Sequence, residues 1–123
     1  MTRHYMLTLV VMSFLLIGAC GPDTIFLRPA LDTPVQHVKN GRRLLAQGKL
    51  DAANGEFLRA RHLDAGYAPA YVGIALIQAR QGDLSGGLKT LDRARALAAT
   101  PDEVKAVEQG YEQLKKMKSA LQN

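Results

Sequence analysis

An all-α fold built from helical hairpins is predicted by three features of the sequence. The stretch Gln47-Gly48-Lys49-Leu50-Asp51 recurs as Gln81-Gly82-Asp83-Leu84-Ser85, with 34 residues between the copies. Small and bulky residues on both sides keep that register. Helix-start signatures at Thr33-Pro34 and Thr100-Pro101 stand ahead of the first and last helical stretches.

The register extends over the whole unit. Gly41 falls on Ala75, Ala53 on Gly87 and Ala60 on Ala94; among larger residues, His37 falls on Tyr71, Asn40 on Ile74, Leu50 on Leu84, Phe57 on Leu91 and Leu63 on Leu97. Two antiparallel helices approach closely only where one carries Gly or Ala, with large apolar side chains filling the space beside the crossing. A Gly just past a helix end adopts the left-handed conformation that caps it, which assigns the Gln-Gly pairs to the turn inside each hairpin.

Five helices are expected, at about 34–47, 51–64, 69–81, 85–98 and 101–120. Thr33 and Thr100 are hydroxyl N-caps followed by Pro, with Gln36 and Glu103 in capping-box position. Asp51 and Ser85, equivalent in the repeat, are the expected caps of the second and fourth helices, and Ala68-Pro69 opens the third with a weaker cap. In the last helix Val104, Val107, Tyr111, Leu114 and Leu121 form an apolar stripe. Lys105, Glu108, Glu112, Lys115, Lys116 and Lys118 occupy the remainder, as suits a helix that closes an open stack. Gly110 costs that helix about 1 kcal/mol against Ala.

A repeat of this length and pattern resembles the tetratricopeptide repeat family. The family's usual bulky Leu is Asn40 in the first unit, its usual aromatic is Gln78 in the second, and its closing Pro is Ala65 and Ala99. The resemblance implies two repeats plus a closing helix over residues 34–121.

Ahead of that domain, Arg3 and His4 precede the apolar run Leu7 to Ile17, which is shorter than the ~20 residues of a membrane span and reads as an export signal. Ile17-Gly18-Ala19-Cys20 resembles the lipobox of bacterial lipoproteins. The resemblance implies cleavage of residues 1–19 and a covalent lipid on Cys20 as the first mature residue; an uncleaved anchor helix and an ordinary signal peptide are the alternatives. Gly21, where an Asp would favour inner-membrane retention, implies the outer membrane, with the domain facing the periplasm. Cys20 is the only Cys, so no disulfide framework supports the fold. Residues 20–33 read as a tether, since Pro22, Pro29 and Pro34 oppose a helix there. Within it, Ile25-Phe26-Leu27 lie on an exposed face of the first hairpin or dock on a partner or membrane surface.

The formal net charge is +5, with 16 basic and 11 acidic residues, and neither basic cluster (Lys39, Arg42 and Arg43, or Lys115, Lys116 and Lys118) belongs to a nucleic-acid recognition module. No catalytic constellation is visible. His37 and His62 lack a Cys or carboxylate cluster at ligand spacing, His37 more simply fills the hairpin contact, and Gly86-Gly87 opens a helix rather than a phosphate loop. The expectation is therefore no enzyme, no metal and no cofactor beyond the lipid.

In the tetratricopeptide family the first helix of each hairpin lines a groove for an extended peptide or a helix. Carried over, that groove presents Val35, Val38, Lys39, Arg42 and Leu45 from the first unit, and Val72, Gly73, Leu76, Ala79 and Arg80 from the second. The family's clamp for a C-terminal carboxylate is not implied, because Val38 and Arg42 stand where it needs Lys and Asn. The resulting expectation is a lipid-anchored adaptor or assembly factor of the bacterial cell envelope, pilotin-like in fold and anchor or accessory to an envelope complex. The alternative is a permanent structural subunit of a larger membrane complex.

Overall fold

The computed structural model describes residues 32–122. The expected signal segment, Cys20 and nearly all of the tether lie outside them. The described residues form five α-helices and no strand: α1 Pro34–Ala46, α2 Leu50–Leu63, α3 Ala68–Arg80, α4 Leu84–Leu97 and α5 Pro101–Ala120. Each boundary of α1 and α2 recurs 34 residues later in α3 and α4.

Local chemistry fixes these boundaries. Thr33 Oγ1 accepts from the Gln36 N–H at 3.2 Å, and Pro34 supplies a helical φ without a wasted donor. Gln36 does not complete the box, because its side-chain amide donates to Asn40 instead. The box is complete at α5, where Thr100 Oγ1 accepts from the Glu103 N–H and Glu103 Oε2 accepts from the N–H groups of Thr100 and Ala99.

The two hairpin turns are alike. Gly48 and Gly82 have φ of +74° and +95°, and each helix end closes with a pair of backbone bonds. In the first pair Lys49 N–H donates to Leu44 and Gly48 N–H to Leu45; in the second Asp83 N–H donates to Gln78 and Gly82 N–H to Ala79. This satisfies the last carbonyls and reverses the chain within three residues.

The expected caps Asp51 and Ser85 are corrected. Both helices start one residue earlier, at Leu50 and Leu84, so these side chains lie inside the first turn. Asp83 caps α4, accepting from the Gly86 N–H at 2.8 Å, and a Cβ on Gly86 would collide with that carboxylate. At the equivalent place α2 has Lys49 and Ala52, and no side-chain cap. Asp51 still favours α2 through the positive end of its dipole.

The core follows the small-residue register. α1 packs on α2 and α3 on α4, while α3 also meets α1, α2 and α5. α3 is accordingly apolar around its circumference, with Tyr71 to Ile77 all buried. The fully buried ring of Phe57 on α2 lies against Gly41 of α1 and Gly73 of α3; a Cβ would stand 2.7 Å and 2.3 Å from its carbons. Leu91 is the equivalent residue of α4, and Gly110 of α5 meets it, a Cβ there falling 2.8 Å from a Leu91 methyl. Gly110 is thus required for the close approach of α5, which offsets its poor helix propensity.

Two apolar residues of the closing stripe differ from expectation. Val104 and Leu121 are exposed, and Val107, Gly110 and Leu114 form the buried stripe with Tyr111 and Met117 at its edge. Leu63 is also more open than expected, at 37% exposure, because it ends α2 beside the turn at Asp64. Leu97 at the equivalent place packs partly buried against the core.

Candidate functional site

The cleft that best matches the expected groove is bounded by three helices. It has a volume of about 300 Å3 and is lined by Arg42, Leu45 and Ala46 from α1, Val72, Leu76 and Arg80 from α3, and Ala106, Gln109 and Gln113 from α5. Val72, Leu76 and Arg80 are four residues apart, so they stack on one side of α3. Leu45, Val72 and Leu76 make an apolar floor that is also core. The floor is continuous with the fold, so the cleft is held open by packing rather than by loops.

Five of the ten expected groove residues, Arg42, Leu45, Val72, Leu76 and Arg80, come together here. The other five do not line it. Val38 and Ala79 are buried in the core, and Val35 and Lys39 are exposed on α1. Gly73 is occupied by the Phe57 ring. Ala106, Gln109 and Gln113 had no counterpart in the sequence reading, because the placement of the closing helix follows from the packing of Gly110 on Leu91 and Val72.

The two basic residues differ in role. Arg80 Nη1 donates to the Leu45 carbonyl at 3.0 Å, a second bond beside that from the Gly48 N–H, and its charge favours the negative end of α1. Arg42 makes no ion pair among the described residues. The cleft therefore offers an incoming anion one uncommitted guanidinium and one with donors left over.

At the start of α1 the structure places a cluster that sequence reading did not find. His37 presents both ring nitrogens to carboxylates, Nδ1 to Glu56 at 2.8 Å and Nε2 to Asp32 at 2.7 Å. Arg59 of α2 donates to the same Asp32 through Nη2 at 2.6 Å and Nε at 3.3 Å. Two carboxylates thus meet His37 as hydrogen-bond partners, and no group of His, Cys, Asp and Glu side chains that could hold a metal ion occurs among the described residues. The Arg59 guanidinium, and then the His37 imidazole, hold the Asp32 carboxyl down at about 2. Burial disfavours charge on His37, but its bonds to Asp32 and Glu56 outweigh that and raise it above the ordinary imidazole range. With both nitrogens bonded to acceptors, this imidazolium clamps α1 to α2 and presents no lone pair for a ligand. The only available signal was the spacing itself, which puts Arg59 on Arg93 and His37 on Tyr71.

Across the second and third crossings, aromatic rings replace the imidazole. Arg93 lies 5.4 Å from the Tyr71 ring centre and Arg95 lies 4.3 Å from that of Tyr111. Tyr71 donates to the Ala65 carbonyl at 2.8 Å and Tyr111 to Asp92 at 2.5 Å. Burial, reinforced by the Asp92 bond, pushes the Tyr111 phenol up to about 12, so it remains a donor. Comparison of the chain with protein-family models, with curated proteins and with solved structures finds no match.

Proposed function

We propose that this chain is a membrane-anchored adaptor or assembly factor of the bacterial cell envelope, built on tetratricopeptide-like hairpins, which receives an apolar segment with acidic flanks in the α1–α3–α5 cleft. The observation that carries this reading is the convergence of Arg42, Leu45, Val72, Leu76 and Arg80 on one recess. Its apolar floor suits buried anchors, which set residence time, and its basic edge suits acidic flanks, which speed encounter. The equal helix bounds at 34-residue spacing and the paired glycine turns support the hairpin-repeat part of the reading. The anchor rests on Ile17-Gly18-Ala19-Cys20, and Cys20→Ser would leave an unlipidated precursor that no longer partitions into detergent.

The test recovers the partner from native membranes with the tagged, lipidated chain and measures its affinity at two ionic strengths. Leu76 also belongs to the core, so a negative charge placed at the exposed rim is the cleaner probe. Arg42→Glu and Gln113→Glu should weaken binding and alter its salt response while the helical circular dichroism signal is unchanged. Undiminished binding by both variants would reject the cleft.

A further inference from the structure

The two hairpins differ at one place where the first supplies a carboxylate from its own chain. Asp32 sits between His37 and Arg59, bonded to both. Thirty-four residues on, these three positions are Gly66, Tyr71 and Arg93, so the second hairpin keeps the ring and the guanidinium and lacks the carboxylate. An open cleft of about 620 Å3 lies there, with Arg61, His62 and Arg93 around Tyr71, Leu58 and Ile74. Among the described residues no carboxylate lines it. The nearest in sequence, Asp64, accepts from the Gly66 N–H at 2.8 Å. Arg61, His62 and Arg93 make no ion pair among the described residues.

We propose that this cleft takes an acidic side chain from a peptide segment of a partner, seated where Asp32 sits in the first hairpin. The Arg93 guanidinium lies over the Tyr71 ring, 5.4 Å from its centre, and its N–H donors can match the two oxygens of a carboxylate as those of Arg59 match Asp32. Leu58 and Ile74 give the same recess an apolar wall for the residue beside the acid, which a bare inorganic anion would not use. Successive residues of an α-helix are 100° apart, so Tyr71, Ile74 and Gln78 lie on the side of α3 opposite Val72, Leu76 and Arg80. No lining residue is shared with the α1–α3–α5 cleft, and the inference does not depend on the function proposed for it.

The experiment titrates the full chain with a blocked tetrapeptide alternating leucine and glutamate, its glutamine counterpart, and inorganic phosphate, following side-chain resonances of Arg61, Arg93 and Tyr71. The glutamate peptide should give saturable shifts at these residues, and the glutamine peptide should bind on the order of tenfold or more weakly, as expected for loss of a charged hydrogen bond. Arg93→Gln should weaken the glutamate peptide to a similar degree. Gly66→Asp, which supplies the missing carboxylate, should pair with Arg93 and block the peptide, whereas Lys105→Glu, at an exposed position of α5 outside both clefts, should leave these shifts unchanged. The proposal is overturned by absence of saturable shifts, by undiminished binding in folded Arg93→Gln or Gly66→Asp, or by phosphate binding as tightly as the glutamate peptide.

Discussion

In the first hairpin the Phe57 ring lies against Gly41 and Gly73; in the second, Leu91 holds the equivalent place, with Ala75 where the first has Gly41. The helices begin and end at matching positions in both. At this crossing the two hairpins differ in opposite directions, a larger side chain facing a smaller one. A larger ring on one helix is matched by a missing Cβ on its neighbours, and a smaller Leu allows one back. The polar flanks differ in the same way. Ion pairs join Asp32, His37, Glu56 and Arg59 in the first hairpin, while the second has a cation over Tyr71 and a neutral bond from Thr90 to Gln78.

The largest effects should come from removing the two central side chains. Both are fully buried, and Phe57→Ala should cost about 3–5 kcal/mol and Leu91→Ala about 2–5 kcal/mol, measured by chemical denaturation. A loss confined to one of them would mean that the hairpins do not share a core. Next in size is the cap. Asp83→Ala should cost roughly 0.5–2 kcal/mol, whereas Lys49→Ala, at the uncapped equivalent, should stay within about 0.5 kcal/mol.

A smaller effect separates the polar flanks by pH. The raised His37 favours the fold fully below the ordinary imidazole value of 6.5, and that contribution is lost as pH rises through its folded value. The lowered Asp32 contributes above 3.8 and loses its effect as pH falls towards about 2. The gap in melting temperature between the parent and His37→Gln should therefore be widest between those limits and narrow as pH rises to 9. A gap that grows with pH would remove the imidazolium. Smallest of all should be Glu108→Gln, since its pair with Arg95 is exposed on both sides and spans 3.8 Å.

Much of the backbone was legible because its boundaries rest on short-range chemistry. Thr33, Pro34, Gly48, Gly82, Thr100 and Pro101 each act on residues within one turn, and the helix bounds follow them within a residue. Asp51 and Ser85 misled by two positions, since the N-caps are Lys49 and Asp83; at α4 the missing Cβ of Gly86 leaves room for the Asp83 carboxylate, and α2 has no side-chain cap. The site was legible only in part. Arg42, Leu45, Val72, Leu76 and Arg80 are implied by the resemblance to tetratricopeptide repeats, but the third wall depends on where α5 settles, which that resemblance does not dictate. The His37 cluster joins residues 19 and 27 positions apart, beyond any local pattern.

The shared crossing is tested most directly by a double-mutant cycle of Gly41→Ala and Phe57→Leu, the substitutions that write the second hairpin's pair into the first. Gly41→Ala alone should cost about 1–3 kcal/mol, because its Cβ would stand 2.7 Å from the Phe57 ring. In the Phe57→Leu background that cost should fall, giving a favourable coupling of roughly 0.5–3 kcal/mol by denaturant unfolding. Additive losses, with Gly41→Ala costing as much beside Leu as beside Phe, would contradict the account.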